Sequence, residues 1–248
     1  MAAAHAWAVS EGERYQKWMN ARWTQDDGPY KSIRDTLDHE LVVSSNLPRI
    51  LATQQLNLSK HPRDPRRVFA YYYALYHYDR KSTNIESGSK PNPIEGIYDI
   101  IASQSLQLPH TYNFARLAFL CQGQSAAQFG SSLGTNPLGW RLLSREPRDI
   151  DVLTEFIAIL TYNYSPVSRN TAMQLAKRIV RIEPTNGDGY GMLGCVYAGN
   201  YVANRDALDR DKAIENYSKC LQMEPNNQSA QVRIGKAIKI LRGQLPEY

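Results

Sequence analysis

The 248-residue chain has only three cysteines, and nowhere does it carry an apolar run near the roughly 18 residues that would suggest a membrane span. Cys121, Cys195 and Cys220 are an odd set without close pairing, in apolar helical contexts. A disulfide framework is therefore not expected, and a reducing, cytoplasmic setting is favoured. His5, His39, His61, His77 and His110 are scattered, and no second histidine follows His39-Glu40 at helical spacing. A Walker loop, a C-x-x-C pair and a carboxylate cluster are also missing, so neither metal nor cofactor is expected. The start, from Met1 through Trp7 to Val9, lacks a basic stretch and runs into Glu11, Glu13 and Arg14, which does not read as a secretory leader.

What remains is the composition of a folded protein, 42% apolar and 21% charged. A net charge of +5 fits an acidic partner or nucleic acid. The bases are interleaved with acids, however, and the densest run, Arg63-Asp64-Pro65-Arg66-Arg67, is short. A solvated surface is the favoured reading, with nucleic acid a secondary one. No alternation of apolar and polar residues demands a sheet, so the expected class is all-α. Trp7, Tyr15, Trp18 and Trp23 predict an opening amphipathic helix ending near Asp26 to Pro29. Helices near 31–44, 46–58 and 65–79 follow, and the Ser-, Gly-, Asn- and Pro-rich stretch from Ser82 to Pro93 predicts a loop.

Toward the C-terminus the residues fall into a repeated pattern. Tyr190, Leu193, Gly194 and Tyr197 are followed by Ala213, Tyr217, Cys220 and Pro225. Tyr190, Leu193 and Tyr197 share one helical face. Small Gly194 and Ala213 let two helices approach closely, Tyr217 fills the groove, and Pro225 stops the second helix. Upstream, Ala172, Ala176, Ile179 and Pro184 copy the second half, after a first helix near 150–163 with Leu153, Phe156 and Leu160 as its stripe. Downstream, Gln231, Ile234, Gly235 and Ile238 copy the first half and predict a closing cap. Prolines at 62, 109, 147, 184 and 225 are spaced by 47, 38, 37 and 41. Between Tyr197 and Ala213 lie seven residues more than the ideal repeat has, either a turn added to each helix or a longer loop through Asn200 to Asp209.

This pattern resembles the tetratricopeptide repeat (TPR) family, clearest over 150–241. The resemblance implies an α-solenoid of antiparallel helix pairs in a right-handed superhelix. It would comprise residues 111–248, continuous with a divergent helical region over 1–110. It also implies a non-catalytic scaffold or adaptor that holds a peptide or partner protein on its concave face. Asp151, Thr154, Glu155, Ala158, Tyr162, Asp188, Met192, Cys195, Ser229, Arg233 and Lys236 would line that face. Family members that grip a chaperone's C-terminal carboxylate use lysines, asparagines and an arginine there. Here only Arg233 and Lys236 are basic, and Asp151, Glu155 and Asp188 would repel a carboxylate.

Three segments resemble other chemistry. Gly189-Tyr-Gly191-Met-Leu-Gly194 matches a dinucleotide fingerprint but lacks the preceding buried strand. Gly130-Ser131-Ser132-Leu133-Gly134 matches a nucleophile elbow, which makes Ser132 the residue of an alternative hydrolase reading, again without its strand. Phe69, Tyr72, Tyr73 and Tyr76 would line one face of a helix. They are either the core of a helix buried on several sides or an aromatic platform for a peptide.

Overall fold

The computed structural model describes residues 28–43, 47–81, 111–117, 119–120, 137–162 and 165–246. The expected opening helix from Trp7 to Trp23, the loop from Ser82 to Pro93, Pro109, Cys121 and Ser132 lie outside these residues. All regular structure among the described residues is helical. The elements are α1 (Gly28–Val43), α2 (Leu47–Lys60), α3 (Pro65–Lys81), α4 (Pro137–Arg145), α5 (Ile150–Tyr162), α6 (Pro166–Ile182), α7 (Gly187–Asn204), α8 (Ala207–Met223) and α9 (Gln228–Leu241). They divide between two compact units, one within Met1–Arg80 and Ser87–Gln122, the other within Lys81–Glu86 and Gly123–Tyr248.

One turn is used four times. His61-Pro62-Arg63-Asp64, Glu146-Pro147-Arg148-Asp149, Glu183-Pro184-Thr185-Asn186 and Glu224-Pro225-Asn226-Asn227 each place proline second and Asp or Asn fourth. In each, the first residue's amide donates to the carbonyl four residues back, from 2.9 Å at Glu146 to 3.3 Å at His61. The fourth residue's amide then donates to the first residue's carbonyl, at 3.0–3.2 Å. The fourth side chain caps the next helix. Asp64 accepts from the Arg66 amide, Asp149 from Val152, Asn186 from Asp188 and Asn227 from Ala230, at 2.9, 3.1, 2.8 and 3.0 Å. Proline ends one helix by lacking a donor, and the Asx cap starts the next, each cap stabilising by about 1 kcal/mol.

In the first unit the core is aromatic. Tyr30 of α1, Phe69 of α3 and Phe114 meet edge to face at 4.9–5.7 Å, and Tyr73 stacks on Phe69 at 5.6 Å. A polar layer borders them. Tyr73 donates to Asp38 at 2.7 Å, Arg34 donates to Asn113 at 3.0 Å, and the Arg116 guanidinium lies 5.7 Å from the Tyr73 ring centre. Residues 112–117, expected to open the repeat region, are helical and pack here against α1 and α3. The aromatic platform is corrected by this core. Phe69, Tyr72, Tyr73 and Tyr76 are all buried, Tyr73 and Tyr76 completely, and α1 and the 112–117 segment lie against Phe69 and Tyr73.

In the second unit each helix packs on the next, and α7 also reaches back to α5. The α7–α8 contacts run in opposite order along the two helices. Gly187 faces Glu224, Gly191 faces Cys220, Gly194 faces Tyr217, and Lys212 lies over the Tyr197 ring, so the pair is antiparallel. The extra residues between Tyr197 and Ala213 are helix. α7 runs for 18 residues and α8 for 17, with only Arg205 and Asp206 between them. Glycine sets the spacing, since a Cβ on Gly194 would lie 2.4 Å from the Tyr217 ring.

Candidate interaction surface

The shared cap puts the first helices in register, so residues at equal distance past Asp64, Asp149, Asn186 and Asn227 are comparable. Two faces emerge. One holds the first, fifth and eighth helical positions: Ile150, Thr154 and Ile157 in α5; Gly187, Gly191 and Gly194 in α7; Gln228, Val232 and Gly235 in α9. In α7 this face seats α8. The other holds the second, sixth and ninth positions: Asp151, Glu155 and Ala158; Asp188, Met192 and Cys195; Ser229, Arg233 and Lys236. This second face is the one expected to bind a partner.

Its exposure grows along the chain. In α5, Asp151 and Ala158 are half-buried while Glu155 is only 6% exposed. In α7, Asp188, Met192 and Cys195 are half-buried, and in α9 Arg233 and Lys236 are exposed while Ser229 is buried. Neighbours account for the gradient, because α4, α6 and α7 all pack on α5, whereas α9 ends the described helices. Two expected contact residues are thereby corrected. Thr154, 2% exposed, is on the seam face rather than the binding face, equivalent to Gly191, and its hydroxyl finds no hydrogen-bond partner among the described residues. Glu155 is on the expected face but closed off by packing. The Tyr162 side chain lies outside the described residues.

Among the expected contact residues, Asp151 on α5, Asp188 and Met192 on α7, and Arg233 and Lys236 on α9 stay at least partly open. α9 comes near α7 at its middle, since a Cβ on Gly191, on the seam face, would touch Ile234 at 3.7 Å. The thiols themselves are inert. Burial pushes Cys195 up, against the Tyr217 hydroxyl that donates to its sulfur at 3.4 Å and against Arg233. Cys220 is pushed up to about 12 by burial, with the Glu224 and Asp188 carboxylates adding to the effect. Both thiols stay protonated at neutral pH and are poor nucleophiles.

The dinucleotide-like string dissolves into packing, whereas the Ser132 motif lies outside the described residues. Gly189, Gly191 and Gly194 lie buried inside α7 against Ile179, Cys220 and Tyr217, leaving no cradle for a phosphate. No group of three or more His, Cys, Asp or Glu side chains with metal-site geometry exists among the described residues. A depression of about 610 Å³ in the first unit is lined by Gly28, Lys31, Ser32, Asp35, Thr36, His39 and Glu40, all from α1. One helix face of mixed charge does not converge groups on a substrate. Among the described residues no helix is long and apolar enough to cross a membrane.

The Asx residue closing each turn escaped the sequence reading, although Pro-x-Asp/Asn recurs visibly at 62–64, 147–149, 184–186 and 225–227. No family model, curated protein or solved structure matches the chain.

Proposed function

We propose that this chain is a tetratricopeptide-like scaffold, a solenoid that catalyses nothing itself and holds a partner protein in the cytoplasm. The observation that supports this best is the four-fold turn, with the same backbone bonds and the same cap entering each first helix. Such identical joints are what stacked helix pairs require. Asp188, Met192, Arg233 and Lys236 are the contact residues of this reading, with an acid on α7 and bases on α9. A partner segment of matching polarity suits them better than a bare carboxylate, which Asp188 would repel.

Affinity purification of the full chain from its native host, followed by mass spectrometry, tests the reading. Arg233→Glu and Asp188→Lys should each reduce recovery of the same partner by about tenfold, the equivalent of roughly 1.4 kcal/mol. Both positions are at least partly open to solvent, so the helical circular dichroism should be unchanged. Equal recovery from wild type and both variants would remove this surface from consideration.

A further inference from the structure

The seam face that seats α8 on α7 recurs on α9, where no described residue covers it. In α7 a Cβ on Gly187, Gly191 or Gly194 would meet Glu224, Cys220 or Tyr217 at 2.7, 3.2 or 2.4 Å. In α5 the equivalent Thr154 and Ile157 are buried. In α9 the equivalent Gln228 is exposed, Val232 is 61% exposed, and a Cβ on Gly235 would meet no atom within 4 Å. An exposed valine one turn from an open glycine is the apolar half of a helix–helix contact. The glycine also removes the side chain that would hold a second helix away, as Gly194 does for the Tyr217 ring.

The charges around this face choose the occupant. From Gln228 to Pro246 the chain carries Arg233, Lys236, Lys239 and Arg242 and no acid. Lys239 lies on the seam face two turns past Val232, with Lys236 and Arg242 beside it, and all three are exposed. A second copy of α9 would bring these cations against themselves. A nucleic acid would use the cations but leave Val232 and Gly235 idle, and no exposed ring is available on α9 to stack a base. We propose that this face of α9 is a docking site for an acidic amphipathic helix of a partner protein. The helix runs antiparallel, places an aromatic side chain over Gly235 as Tyr217 lies over Gly194, and sets carboxylates opposite Lys239 and Arg242. This surface is distinct from the Asp188–Arg233 face, because Arg233 holds the sixth helical position, about 100° round the helix from Val232 at the fifth.

The test pans the full chain against a displayed library of amphipathic helices of 17 residues, the length of α8. Selected helices should be acidic and carry an aromatic residue. They should bind Gly235→Trp at least about tenfold more weakly, and Lys239→Glu more weakly as well. Gly235→Trp should keep its circular dichroism and melting curve, since the position opens on empty space; should it misfold, Val232→Asp serves in its place with the same expectation. Selected helices that are basic or neutral, binding that Gly235→Trp leaves unchanged, or no helix above background would overturn the proposal. So would self-association abolished by Gly235→Trp, or an RNA oligonucleotide whose binding needs Lys239 and ignores Gly235. Arg233→Glu separates the two surfaces, because it should reduce recovery of the partner held on the Asp188–Arg233 face by about tenfold while the selected helices still bind.

Discussion

The two units use the same joint and fill the space behind it in opposite ways. In the first, α3 follows the His61–Asp64 turn and presents buried Phe69, Tyr72, Tyr73 and Tyr76, of which Phe69 meets Tyr30 and Phe114 and stacks on Tyr73. In the second, α7 follows the Glu183–Asn186 turn and presents glycines at the corresponding face, so that α8 comes to it. Large rings hold neighbouring helices together through area and edge-to-face contact, each pair adding about 0.5–1.5 kcal/mol beyond burial. Glycines do so by admitting the backbone, at a helix-propensity cost of about 1 kcal/mol each. A turn therefore fixes where a helix begins and leaves open what it packs against.

Three experiments break or sharpen this contrast. Phe69→Ala should be the most damaging, costing about 3–5 kcal/mol, because it empties a fully buried ring site. Urea unfolding followed by tyrosine fluorescence should show the loss, and a cost below 1 kcal/mol would mean the rings are not the core. Next in size is a pair at equivalent seam positions. Gly194→Ala should destabilise by about 1–3 kcal/mol through the clash with Tyr217, and Tyr217→Leu should relieve most of it. Gly235→Ala should instead stabilise by about 0.5–1 kcal/mol, because α9 gains propensity and meets nothing. Equal signs for the two glycines in thermal melts would abolish the distinction between a filled seam and an open one.

The smallest effect is on alkaline stability, with one reporter in each unit. Cys220 in the second unit holds its proton up to about 12, against 9.0 for an unperturbed thiol, and Tyr71 in the first is raised above 10.0 by desolvation. In both cases the folded chain holds the proton more tightly than the unfolded one. Below pH 9 neither state ionises and the stability contribution is complete; as pH rises toward 12 the unfolded chain gains by releasing protons and stability falls. The urea midpoint should decline between pH 9 and 11, less steeply in Cys220→Ala and in Tyr71→Phe. A decline untouched by either change would place its cause elsewhere.

Much of the second unit is legible in the sequence. Proline stops at 147, 184 and 225, the stripe of Leu153, Phe156 and Leu160, and the small residues at 194 and 213 are local signals, and local signals fix helix ends and faces. The seven additional residues between Tyr197 and Ala213 became two longer helices because nearly two turns can be added without rotating a buried face. Burial was the illegible part. Thr154 and Glu155 were expected on the partner-binding face from the repeat resemblance, yet α5 is enclosed by three neighbours. Phe69 through Tyr76 read as core before platform, and the sequence left the choice open because the deciding rings, Tyr30 and Phe114, lie 39 and 45 positions away from Phe69. The Asx caps were legible and missed, since each needs only the residue two after the proline.

The two-residue joint at Arg205 and Asp206 has a consequence for how the chain reaches this structure. Arg205 takes a left-handed backbone, φ 55°, which reverses direction at once. From there Lys212 meets Tyr197, Tyr217 meets Gly194, Cys220 meets Gly191 and Glu224 meets Gly187. Each contact encloses a loop only slightly longer than the one already closed, and closure entropy grows only with the logarithm of that length. The hairpin can thus zip outward from its tip without waiting for any distant part of the chain, and it gives neighbouring helices a ready surface on which to collapse.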